Sequence, residues 1–102
     1  MIIYKGAKFY PVQVEKVVRS FRELSDEFYI ELTTDPERNT DICTVVMECL
    51  KEEDIPKMKP LLRNGLKEEC QVAPEIKFVP FNTVERTTFK AKRIIDKRQK
   101  RA

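Results

Sequence analysis

The residues best suited to chemistry lie near the end of the chain. Arg86-Thr87-Thr88-Phe89-Lys90-Ala91-Lys92-Arg93 sets four cations in eight residues, just ahead of the apolar pair Ile94-Ile95. A lysine between a polar loop and a short strand-like segment suits contact with a phosphate-bearing ligand, because its ammonium is a compact point charge. From Arg86 to Arg101 the chain carries eight Lys/Arg residues against one acid, Asp96, although its net charge is only +3. A stretch of this kind is either a solvated tail or a surface that meets phosphate or nucleic acid. The sequence has no histidine, which removes Ser-His-Asp, Cys-His and His-ligated metal chemistry from this chain. Cys43, Cys49 and Cys70 lack any C-x-x-C spacing and sit in apolar-patterned segments, so they read as buried free thiols in a reducing compartment. No metal site is expected.

The elements that must position these residues follow from periodicity. Ile2-Ile3-Tyr4 and Lys8-Phe9-Tyr10 flank Lys5-Gly6-Ala7 as a β-hairpin with glycine in its turn. Pro11 suits the first turn of a helix, and Val14, Val17, Val18 and Phe21 then form one apolar stripe. Phe28, Ile30 and Leu32 alternate with Tyr29, Glu31 and Thr33 in a half-buried strand over residues 27–34. Asp35 to Asn39 is a turn by composition, and a second, antiparallel strand over about residues 41–50 points Cys43, Val45 and Met47 inward. Met58, Leu61, Leu62 and Leu66 make a second helical stripe. Since proline deep in a helix costs about 3 kcal/mol, this helix is expected to start near Lys57 or Met58, with Pro60 in its first turn. A strand over residues 75–79, with Ile76 and Phe78 inward, and a last short one at residues 93–95 complete the chain.

With 102 residues, there is room for one domain, residues 1–102, around one modest core. The order hairpin-α-β-β-α-β predicts an α+β fold. If a hairpin strand joins the main sheet, the fold becomes a ferredoxin-like β-α-β-β-α-β sandwich with a basic C-terminal segment. No apolar run approaches the roughly 20 residues that span a bilayer. The opening residues lack a signal-peptide pattern, so a cytoplasmic location is expected.

Two segments resemble the AMP-forming acyl-CoA ligases, in particular the phenylacetate–CoA ligase group. Gly6-Ala7-Lys8-Phe9-Tyr10-Pro11-Val12-Gln13-Val14-Glu15 is similar to that family's G-x-x-x-x-P-x-Q-[IV]-E segment, where a hairpin leads into the first helix of a mobile C-terminal domain. Residues 86–93 are similar to its P-R-[ST]-x-G-K-x-x-R motif, with Phe89 in place of the usual glycine and Glu85 in place of the usual proline. The resemblance implies a two-step ligase in which carboxylate and ATP give an acyl-adenylate and pyrophosphate. The small domain then rotates, and CoA displaces AMP. It implies that Lys90 serves the adenylation step, with Lys92 as the alternative because Phe89 cannot take a glycine-only backbone. It also implies that Lys5, Gly6 and Ala7 contribute to the CoA side, Lys8 adding attraction for the phosphates. ATP, CoA and Mg2+ would be used by the full enzyme. The partner of this chain would be a large N-terminal domain of the same protein, which binds the carboxylate, and this domain alone would be inactive.

Two other classes compete. An RNA-recognition domain shares the element order and a basic tail, but the strands lack its K/R-G-F/Y-G/A-F-V-x-F/Y stacking motif, so no nucleic-acid partner is expected. A stand-alone regulatory or small-molecule-binding module of the same fold is the second alternative.

Overall fold

The computed structural model describes residues 2–81, 83 and 94–97. The expected hairpin is present, with β1 at Ile2–Tyr4 and β2 at Ala7–Phe9 paired antiparallel. Helix α1 (Pro11–Arg19) follows directly and buries Val14, Val17 and Val18. The expected central pair is β3 (Leu24–Asp35) and β4 (Thr40–Cys49). They run antiparallel from Phe28 opposite Met47 to Asp35 opposite Thr40, with a bulge between Leu24 and Phe28. After a 3-10 turn at Glu52–Asp54 comes α2 (Ile55–Cys70), then β5 (Glu75–Pro80) and β6 (Ile94–Asp96).

The main sheet has the order β5-β4-β3-β6. Strand β5 is parallel to β4 through the α2 crossover, and β6 is parallel to β3. Phe28, Ile30 and Leu32 of β3 and Cys43, Val45 and Met47 of β4 meet Val14, Val18, Met58, Leu62 and Leu66 of the helices in one core. The α+β, ferredoxin-like class therefore holds. One detail differs from the conditional reading: the hairpin lends no strand to the main sheet, and β6 lies beside β3. The reason is that Ile2, Tyr4 and Phe9 all turn one face of the ribbon into the core. The ribbon thus docks by its face rather than by its edge.

Helix α2 begins at Ile55, earlier than the prolines suggest, so Pro60 lies inside it. Pro56 sits in the first turn, where its missing N–H costs nothing. Pro60 forfeits only the bond to the Pro56 carbonyl, close to a helix end that the carboxylates of Glu52, Glu53 and Asp54 favour electrostatically. Gly65 marks the close approach of the two helices: a Cβ there would stand 3.1 Å from Val17 Cγ1. The three cysteines are buried thiols outside any disulfide, as their apolar setting suggests. Among the described residues no helix is long and apolar enough to cross a membrane.

The outer face of β4 is less polar than alternation predicts. Val46 and Glu48 are buried there as well. Glu48 Oε1 accepts the Ser25 hydroxyl at 2.8 Å, and Ser25 Oγ accepts the Glu27 backbone N–H at 3.2 Å. The buried Glu48 carboxylate thus has a hydrogen bond, as burial requires.

Candidate functional site

The hairpin turn is the part of the candidate site whose geometry is described. Tyr4 faces Ala7 across the ribbon, leaving Lys5 and Gly6 as a two-residue turn. Both have positive φ, 49° at Lys5 and 80° at Gly6. A type I′ turn demands this pattern, and its twist matches that of the flanking strands. A Cβ built on Gly6 would meet no atom within 4 Å, so the tip is open and its backbone can be approached closely. The Lys5 ammonium lies 5.4 Å from the centroid of the Tyr4 ring, within cation–π range. Ala7 is half-buried, and Lys8 is exposed.

A clasp behind the turn holds the ribbon to the helices. The Tyr10 backbone N–H donates to Gln13 Oε1 at 2.7 Å, and the Gln13 N–H returns a bond to the Tyr10 carbonyl at 2.9 Å. Gln13 Nε2 donates onward to the Glu69 carbonyl at 3.0 Å, and Lys16 pairs with the Glu69 carboxylate at 3.5 Å. Sequence reasoning took Gln13 only as part of a motif. A glutamine at the third helical position after a proline-led start is the signal that reveals its capping role.

Lys90 and Lys92 lie outside the described residues, as do Arg86, Phe89 and Arg93. The described chain resumes at Ile94, opposite Ile30 of β3, and the Lys97 ammonium pairs with Glu31 at 3.5 Å.

A cleft that the sequence did not reveal, about 240 Å³ in volume, opens where β4 and β5 end. It is lined by Cys49, Leu50, Glu52, Ile55 and Phe78 through Phe81. Its thiol is not a ready nucleophile. Burial pushes the Cys49 thiol above its ordinary pKa, and the carboxylates of Asp54, Glu52 and Glu23 add to the rise, whereas a reactive cysteine needs the opposite shift. Among the described residues no three His, Cys, Asp or Glu side chains group so as to hold a metal ion.

Comparison with known proteins identifies the family. The model of the AMP-binding enzyme C-terminal domain matches residues 6–98. A solved domain of phenylacetate-coenzyme A ligase from Bacteroides vulgatus ATCC 8482 superposes with a TM-score of 0.84 at 29% identity, over 97% of this chain and 93% of that one. A 2-hydroxyisobutyryl-CoA ligase, solved with 2-HIB-AMP and CoA in its thioesterification state, superposes with a TM-score of 0.82 at 20% identity. This match covers 97% of the present chain but only 21% of that ligase. McyG A-PCP, complexed with phenylalanyl-adenylate, shares the fold with a TM-score of 0.69 at 18% identity, over 84% of this chain and 16% of its own. No curated protein sequence matches the chain. With the family model spanning nearly its whole length, the chain belongs to the AMP-binding enzyme C-terminal domain family and is a C-terminal domain of the adenylate-forming ligase kind.

Proposed function

We propose that this chain is the C-terminal domain of an AMP-forming CoA ligase acting on phenylacetate or a related aryl or acyl carboxylate. The observation that carries the reading is the near full-length likeness to the phenylacetate-coenzyme A ligase domain, at 29% identity. The open, glycine-bearing hairpin tip supports it further. The domain works with a larger N-terminal domain of the same protein, which supplies most of the ATP and carboxylate sites.

In the first step a carboxylate oxygen attacks the α-phosphorus of ATP, the bond to pyrophosphate breaks, and an acyl-adenylate forms. Two anions must approach each other, and charge builds on the α-phosphate oxygens. The ammonium of Lys90 offsets that repulsion and holds the attack in line. In the second step the CoA sulfur attacks the acyl carbon, the mixed anhydride breaks, and AMP leaves. Lys5, Gly6 and Ala7 then lie on the CoA side, where the missing Cβ of Gly6 lets backbone approach the thiol's arm. Any Mg2+ would accompany ATP on the larger domain.

The test separates the two steps in the intact enzyme. Lys90→Ala should lower carboxylate-dependent ATP–pyrophosphate exchange by about a hundredfold or more, the scale for losing one transition-state electrostatic contact. Thioester formation from supplied acyl-adenylate should be largely spared. Equal loss in both steps would overturn the role of Lys90, and loss on Lys92→Ala alone would transfer that role to Lys92.

A further inference from the structure

A second recess, about 210 Å³ in volume, opens between α2 and the start of β5. It is lined by Lys59, Arg63, Ala73, Pro74, Glu75 and Ile76. Burial of Met58 and Leu62 fixes the rotation of α2 and leaves Lys59 and Arg63, one turn apart, on an exposed flank. Gln71 ends the helix in the left-handed conformation at φ 65°, and the chain then returns as β5. Pro74 is buried, and pairing with Thr44 and Val45 of β4 pins Glu75 and Ile76. The cations therefore stand on a helix and the carboxylate on a strand, so both walls are rigid. These charges are not paired with one another. Both cations of α1 are in ion pairs, Lys16 with Glu69 and Arg19 with Glu15. Lys59, Arg63 and Glu75 form none among the described residues, although they line one recess. Like charges four residues apart also oppose each other on a helix, a cost that an anion seated between them would offset.

We propose that this recess binds a small zwitterion, an α-amino acid with a short apolar side chain. Its carboxylate sits on Arg63 and Lys59, its ammonium on Glu75, and its side chain against Ala73, Pro74 and Ile76. Charge complementarity selects this class. A simple anion would meet the Glu75 carboxylate, and a simple cation would meet two like charges. A ligand that carries both signs meets an opposite charge at each end. The Arg63 guanidinium suits the carboxylate, because its fork of N–H donors matches two oxygens. Size points the same way: sites for drug-sized ligands measure about 300–1,000 Å³, so this recess takes something smaller. Its walls are partly open to water, so the charges are screened and the expected dissociation constant is on the order of 1 mM. The site uses none of the residues assigned to adenylation or to CoA, and it does not depend on the ligase reading.

The test titrates the 102-residue chain, labelled with nitrogen-15, with L-valine, isovalerate, isobutylamine and inorganic phosphate in turn. Valine should move the amide signals of Arg63, Ala73, Glu75 and Ile76. Isovalerate lacks the ammonium and isobutylamine lacks the carboxylate. Each should bind about tenfold more weakly or worse, the scale for losing a hydrogen bond to a charged group. Arg63→Gln should weaken valine by a similar factor. Glu75→Gln should erase the preference for valine over isovalerate. Lys67→Gln, one turn further along α2 and outside the recess, should leave binding unchanged. Unmoved β3–β4 signals in each variant report that the fold is intact. No movement with valine well above the expected constant, or equal binding of valine and isovalerate, overturns the zwitterion site. Phosphate that binds the same residues as tightly as valine also overturns it, leaving a plain anion patch. An equal loss on Lys67→Gln overturns it too, because the effect would then belong to the general charge of α2.

Discussion

The β1–β2 ribbon and the β3–β4 pair are both antiparallel hairpins, yet they are stabilised in opposite ways. Each ribbon strand is three residues long, and the turn between them holds two residues at positive φ. Its inner face seats Ile2, Tyr4 and Phe9 on the core, while Ile3 stands in solvent. Strands β3 and β4 pair over most of their length and bury a full row of side chains against both helices. On their outer face Val46 and Glu48 are buried too. A two-stranded ribbon is marginal by itself in water, so this one depends on three seated side chains and the Gln13 clasp. The contrast separates two tasks: β3–β4 supplies rigidity, and the ribbon presents open backbone and a cation where a ligand can reach them. Recognition surfaces commonly occupy the low-stability end of a fold for this reason.

The strongest way to test the contrast is to damage the rigid half. Phe28 is fully buried at the centre of β3. Phe28→Ala should cost about 3–5 kcal/mol, the range for removing a core phenylalanine, and urea denaturation would read it as a lower midpoint. Protection against amide hydrogen exchange should then fall in the ribbon and the sheet together, since both rest on one core. In the unaltered chain the ribbon amides of Tyr4 and Ala7, the hydrogen-bonded pair beside the turn, should open at lower free energy than those of Ile30 and Val45. Equal protection in the two regions would show that the ribbon is as rigid as the sheet.

A smaller effect is expected at the ribbon's own turn. Gly6 has φ of 80°, and a Cβ there would touch nothing within 4 Å. Gly6→Ala therefore measures backbone strain without a packing clash, at about 1–2 kcal/mol for an L-residue in the left-handed region. Asparagine tolerates that region better, so Gly6→Asn should recover much of the loss. The change should appear as faster exchange in the ribbon, with the β3–β4 amides nearly unaffected. If all amides shifted alike, ribbon and sheet would open as one cooperative unit.

The same contrast explains what could be read from the sequence. Alternation in residues 27–34 and the stripe Val14, Val17, Val18 report burial on one face, and the structure buries that face. Gly6 announces its turn because few other residues accept its φ. Local patterns were silent where tertiary partners decide. The prolines of α2 argue for a later start, but burial of Met58, Leu62 and Leu66 carries the helix back to Ile55 and through Pro60. The burial of Glu48 depends on Ser25 across the sheet, and the cleft beside Cys49 depends on where β5 comes to rest. For the candidate site, glycine and the lysines could be named as candidates from the sequence because they carry their chemistry in their identity. That Lys59, Arg63 and Glu75 line one recess required the tertiary fold.

The smallest predicted effect concerns alkali, and it should touch the core half of the comparison. Cys70 ends α2 with its side chain almost wholly buried. Burial, helped by the neighbouring Glu69 carboxylate, pushes its thiol up to about 11 from an ordinary value of 9.0. Below 9.0 both folded and unfolded chains keep the proton, and the contribution to stability is complete. Between 9.0 and about 11 the unfolded thiol ionises while the folded one does not, so stability falls as pH rises through that window. Cys70→Ala removes this linkage. Its urea midpoint should therefore decline less between about pH 8 and pH 10.5 than that of the parent chain, with other alkaline titrations common to both. Parallel declines would mean that the folded thiol ionises as freely as the unfolded one. Hydrogen exchange over the same interval should place the parent's extra loss in the amides of α2 and β4. A loss confined to the ribbon would reverse the assignment of rigidity to the sheet and helices.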